Sequence, residues 1–111
     1  MSNKTQVKEA GEINPIAIGY GACFATSEIT VKRDKVGYFY REKPNSYADS
    51  GWRFLSGHES AEFMANPNNI GLYDINIIAN CDPAIIAYLH KPIGSVFIRD
   101  LKTGAFIDIN R

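Results

Sequence analysis

Two short aromatic segments flanking a turn-rich loop constrain this chain more than any other feature. Val36–Tyr40 and Trp52–Leu55 are built from β-branched and aromatic residues, the types that fit a pleated, half-buried surface. Between them lie the charged Arg41–Lys43 and the Pro, Asn, Ser, Asp and Gly residues of Pro44–Gly51, a composition that makes loops. Strands joined by one loop tend to lie side by side, so the two segments are predicted to pair antiparallel, with Trp52 and Phe54 on one face.

The remaining elements arrange themselves around this pair. Alternation and β-branching predict an early strand near Ala22, with Gly19 and Gly21 permitting a bend. Glu28–Val31 reads as a second short strand, followed by a turn at Arg33–Lys35. A short helix is expected over Ser60–Ala65, ended by the Asn66–Asn69 turn. Asp74 is placed to cap a helix through Ile75–Ala79, and Asp82-Pro83 opens another over Ala84–Leu89. Pro92 stops that helix. Strands at Ser95–Ile98 and Ala105–Ile109, joined by a turn at Lys102–Gly104, close the chain as a hairpin. The order predicts an α+β fold with a mainly antiparallel sheet and two or three short helices. Residues 1–12 read as a loose N-terminal segment and 13–111 as a single domain.

Composition narrows the chemistry. The chain has 111 residues, 45% of them apolar, which suits one ordinary core and no second one. Twelve basic side chains balance twelve acidic ones, whereas a protein gripping a nucleic-acid backbone needs a basic surplus, so no nucleic-acid partner is expected. The charge is uneven along the chain. Within 28–43, five cations face three acids. Within 44–90, Arg53 faces Asp49, Glu59, Glu62, Asp74 and Asp82, an acidic stretch suited to steering a basic partner. The apolar run of an export signal is missing near Met1, and no stretch has the length of a membrane span. A cytoplasmic protein without a membrane partner is expected. Cys23 and Cys81 stand far apart and read as small buried side chains.

Catalytic and cofactor patterns do not assemble. His58 and His90 have no ligand spacing and no cysteine pair nearby, so no metal or other cofactor is expected. Ser50 and Ser56 lie in turn sequences, not in a Gly-x-Ser-x-Gly elbow. Gly19-Tyr-Gly21 begins like a dinucleotide fingerprint, yet Phe24 occupies the place of its third glycine. No enzyme is predicted. The stretch from Arg41 to Glu59 stands out instead, because loops held by rigid strands gather binding residues, and Trp, Tyr and Arg dominate binding hot spots. Arg41, Tyr47, Asp49, Arg53, His58, Glu59, Glu62 and Asp74 are the candidate partner-binding residues. The alternative is a small ligand-binding domain or enzyme with a pocket formed by Arg41, Asp49, Arg53 and His58.

The same stretch carries a resemblance. Val36–Glu42, then Asp49-Ser-Gly-Trp-Arg-Phe54, then Ser56-Gly57 with Glu59, resemble the bacterial immunity-33 domain family, first catalogued as a domain of unknown function. Asn69-Ile70, Tyr73-Asp74, Asn76, Ile78, Asn80, Asp82-Pro83 and Gly94 continue the pattern in order. The likeness runs roughly from Ala22 to Arg99. It implies a protein kept in the producing cell that binds and neutralises a cognate toxin, and it transfers no catalytic residue. A toxin domain is the partner so implied.

Overall fold

The two aromatic segments pair as expected in the computed structural model, which describes residues 13–109. The expected loose segment 1–12 lies outside the described residues, as do Asn110 and Arg111. Strands β2 (Tyr38–Arg41) and β3 (Asp49–Leu55) run antiparallel, with Phe39 opposite Phe54 and Tyr40 opposite Arg53. Because side chains alternate along a strand, Phe39, Trp52 and Phe54 share one face. Phe97 of β5 (Val96–Arg99) and Phe106 of β6 (Phe106–Asp108) join them there. Phe39 is the hub. Its ring centroid lies 4.8 to 5.4 Å from those of Trp52, Phe54, Phe97 and Phe106.

With β1 (Ala22–Thr26) and β4 (Ile70–Asp74), the six strands form one sheet in the order β4-β1-β3-β2-β5-β6. The β1/β3 pair is parallel and the other four pairings are antiparallel. Helices cover one face. Ile29 of α1 (Ser27–Thr30), Ile75, Ile78 and Ala79 of α3 (Ile75–Cys81), and Ile85 of the Pro83–Tyr88 3₁₀ helix are fully buried against the aromatic layer. Among the described residues, the opposite face stays largely open. Registers across it align Leu72, Phe24, Arg53, Tyr40 and Val96 in one row, and Leu55, Tyr38, Ile98 and Ile107 in another. Among the described helices, α2 (Ala61–Ala65), itself without a buried residue, borders it, where Met64 lines a cleft with Phe24 and Ile70.

Several expectations are met by local chemistry. Ser60 Oγ caps α2 by accepting from the Phe63 amide, Asp74 Oδ1 caps α3 from the Asn76 amide at 2.8 Å, and Asp82 Oδ1 accepts from Ala84. Cys23 is buried and Cys81 half-buried, and the two form no disulfide with each other. One expectation fails and one strand is unannounced. Glu28–Val31 was expected as a strand, yet Ser27–Thr30 is helical, with Ile29 and Thr30 buried side by side and the Thr30 hydroxyl donating to the Thr26 carbonyl. Burial against α3 overrides the β-preference of Ile, Thr and Val there. Strand β4 was not anticipated from the sequence. Interrupted by Gly71 and lying at the sheet edge, Ile70–Asp74 carries little strand signal of its own. The Ala84–Leu89 helix is a 3₁₀ segment over Pro83–Tyr88, with bonds such as Leu89 N–H to Ile86 O.

Candidate functional site

The densest polar cluster grows from the Asp49-Ser-Gly-Trp-Arg-Phe54 stretch, and its side chains turn inward. Asp49 is 6% exposed and Arg53 5%. Arg53 donates through both terminal nitrogens to the two Asp49 oxygens, at 2.9 and 2.8 Å, and through Nε to Glu42 Oε2 at 2.6 Å. The Asn45 and Gly51 amides complete the Asp49 carboxylate. The Arg53 hydrogen bonds hold the Asp49 carboxyl well below the usual carboxylate range, against the opposing effect of burial. The same partners push the Arg53 guanidinium further up. Its cationic centre lies 4.8 Å from the centroid of the Phe24 ring.

The rest of the stretch is equally occupied. Ser50 Oγ donates to the Ala22 carbonyl at 2.6 Å and accepts from the Trp52 amide. Gly51 has φ +93, and a Cβ at that position would overlap the Glu42 carbonyl, so glycine alone fits there. Trp52 Nε1 donates to Leu89 O. These residues tie β1, β2, β3 and the 3₁₀ helix together.

Glu59 does similar work at the far end of β3. Its Oε2 accepts from the Thr26 hydroxyl at 2.6 Å and the Ser56 amide at 2.8 Å, and its Oε1 accepts from Gly57. Burial opposes ionisation of Glu59, but these hydrogen bonds outweigh it and draw its pKa down. On the helical side, Asp82 Oδ2 accepts from the Val36 amide and from Arg99 at 2.7 Å. Burial pushes the Cys23 thiol up, which disfavours its thiolate.

The candidate residues therefore separate. Arg41 lies on the helical face, donating to the Ser50 and Lys91 carbonyls beside the Trp52 ring, while Arg53 lies on the open face. Tyr47, Asp49 and Asp74 gather at the start of β3. His58, Glu59 and Glu62 follow its other end, about 20 Å away at the usual rise of a strand. The expected pocket of Arg41, Asp49, Arg53 and His58 does not form. Asp49 lines a cleft with Tyr47, Arg53 lines a second with Phe24 and Tyr40, and His58 lines a third with Tyr38 and Ile98. Strand geometry keeps Asp49 and Arg53 together as an ion pair but sends Arg41 to the other face and His58 beyond the other end of β3.

Tyr47 is fully exposed, and His58, Glu62 and Asp74 are exposed. The sequence reading missed Glu42 as an Arg53 partner, although alternation from Tyr40 places Glu42 on the Arg53 face. It also missed the Asp82–Arg99 pair, because Asp82 already had a role as a cap. The acidic stretch is weaker than its count, since Asp49 and Asp82 are neutralised internally. Among the described residues, no group of three or more His, Cys, Asp or Glu comes together. None of their helices is long and apolar enough to cross a membrane.

Fold and site together define a single-domain α+β protein whose buried charges close on one another and whose exposed aromatic and acidic side chains stand at the ends of the sheet. The sequence profile described as Immunity protein Imm33 domain matches residues 23–110, and the chain belongs to that family. No curated protein and no solved structure matches it significantly.

Proposed function

We propose that the protein is an immunity protein that binds a cognate bacterial toxin inside the producing cell and neutralises it by stoichiometric complex formation. The observation that carries this reading is the family match across residues 23–110. The structure supports binding over catalysis in one specific respect. Among the described residues its buried acids and bases, such as Asp49 with Arg53 and Asp82 with Arg99, engage each other or the backbone and hold the fold. Large apolar side chains stand exposed instead, among them Tyr47, Leu72, Ile98 and Leu101.

Within the candidate set, Tyr47, His58, Glu62 and Asp74 have the exposure that contact with a toxin requires, whereas Asp49 and Arg53 act by holding the loop that presents Tyr47. A complex of nanomolar affinity needs about −12 kcal/mol, and interfaces of standard size bury about 1,600 Å² in total. A growth assay tests the proposal. The C-terminal domain of the neighbouring large open reading frame is expressed in a sensitive bacterium with and without this protein. Restored growth and co-purification are expected, and killing that persists despite abundant folded protein contradicts the reading.

A further inference from the structure

The cleft at the start of β3 has walls from three separate segments. Tyr20 comes from the loop before β1, Tyr47 and Ala48 from the loop before β3, and Leu72 and Asp74 from β4. Its volume is about 590 Å³ and it opens broadly to solvent. Backbone hydrogen bonds lock the walls together: Ala22 N–H to Ala48 O and Ile75 N–H to Gly21 O, both at 2.9 Å. Tyr20 sits between Gly19 and Gly21, whose φ values of 89 and 90 are left-handed, so the chain bends sharply on both sides and leaves the tyrosine in solvent. Tyr20 is 42% exposed, Leu72 61%, and Tyr47 entirely so. Exposing two tyrosines and a leucine around one cleft has no benefit for the isolated fold.

Two carboxylates line this cleft, and they differ. Asp49 has both oxygens occupied by Arg53 and by two amides, so its charge is cancelled. Asp74 is exposed, and among the described residues only its Oδ1 is engaged, by the Asn76 amide. The cleft thus presents one uncancelled negative charge beside aromatic rings. That combination suits a cation: the carboxylate supplies a charge-assisted hydrogen bond and the ring faces attract positive charge.

We infer that this cleft is the toxin-docking surface and that it receives a cationic side chain, arginine or lysine, projecting from the toxin. The inference rests on the toxin-binding reading and adds the surface and the chemistry of the group it takes. Tyr47 and Tyr20 flank the cation, Asp74 pairs with it, and Leu72 packs against its aliphatic stem.

Two substitutions test this without harming the fold. Asp74→Asn removes the charge and retains a side-chain oxygen able to cap α3. Tyr47→Ala removes a side chain that is wholly in solvent. Affinity for the purified toxin domain is measured by calorimetry for the wild type and both variants, with Lys102→Gln, an exposed residue of the turn between β5 and β6 at the opposite edge of the sheet, as a control. Each cleft variant is expected to bind at least tenfold more weakly, with an unchanged melting temperature, while Lys102→Gln stays within twofold. The wild-type affinity should fall with added salt more steeply than that of Asp74→Asn. Tight wild-type binding with both variants within twofold overturns the cleft and leaves the toxin-binding reading intact. Weakening by Tyr47→Ala alone overturns the cationic occupant. Absence of any wild-type complex overturns the underlying reading as well.

Discussion

At the scale of single residues, the Asp49–Arg53–Glu42 triad decides how the central strands hold together. Arg53 is the shared partner, and removing it leaves Asp49 buried with its charge uncompensated. Breaking such a pair from one side costs about 3–5 kcal/mol. Arg53→Met is therefore expected to lower unfolding stability by about that amount in urea titrations. The triad also sets an acid limit. The folded pKa of Asp49 is depressed below its unfolded value of roughly 3.9, so its contribution to stability is complete above that value and is lost as pH falls towards the folded one. Glu59 is depressed too and acts in the same direction. Stability should hold level from neutral pH to about 5 and decline below about 4. Asp49→Asn, measured over the same range, should be less stable at neutral pH and show a shallower acid decline. Motif residues such as Asp49, Ser50, Trp52 and Arg53 are legible from sequence as important, but their role is internal. Spacing along a chain does not show whether a charged side chain turns to solvent or to a partner across the sheet.

Elements were legible where the signal is local. The β2 and β3 pairing follows from alternating aromatics around a turn-rich loop, and the caps at Asp74 and Asp82 follow from an acid beside unpaired amides. Elements that depend on distant contacts were less so. Ser27–Thr30 is helical because Ile29 and Thr30 are buried together and the Tyr73 hydroxyl donates to Thr30, and none of that is visible in four residues. Strand β4 forms because β1 offers it a pairing edge. The Asp74 cap supplies a prediction at this scale. Asp74→Ala leaves the Asn76 amide without its side-chain acceptor and should cost about 1 kcal/mol in thermal or chemical unfolding, while Asp74→Asn should remain within a few tenths. Equal losses in both variants would mean that the charge of Asp74, and not its capping oxygen, supports the fold.

For the whole molecule, the sheet separates two jobs. Its helical face carries the aromatic core around Phe39, and its other face and ends carry the exposed side chains available to a partner. The binding residues expected from sequence fall at both ends of β3, with Tyr47 and Asp74 at one and His58 and Glu62 at the other. An acidic face spanning 44–90 does not exist as a continuous surface, because two of its five acids are internally paired and the others are dispersed. The proposed role is to inactivate a toxin by occupying it, molecule for molecule. The most direct measurement titrates the activity of a fixed amount of purified toxin domain with increasing amounts of this protein. The expected result is a linear fall to zero at one equivalent, complete as fast as the two are mixed. Inactivation that continues with time at a small fraction of an equivalent would reveal turnover, and full toxin activity at several equivalents would reveal no binding. Either result overturns the stoichiometric role.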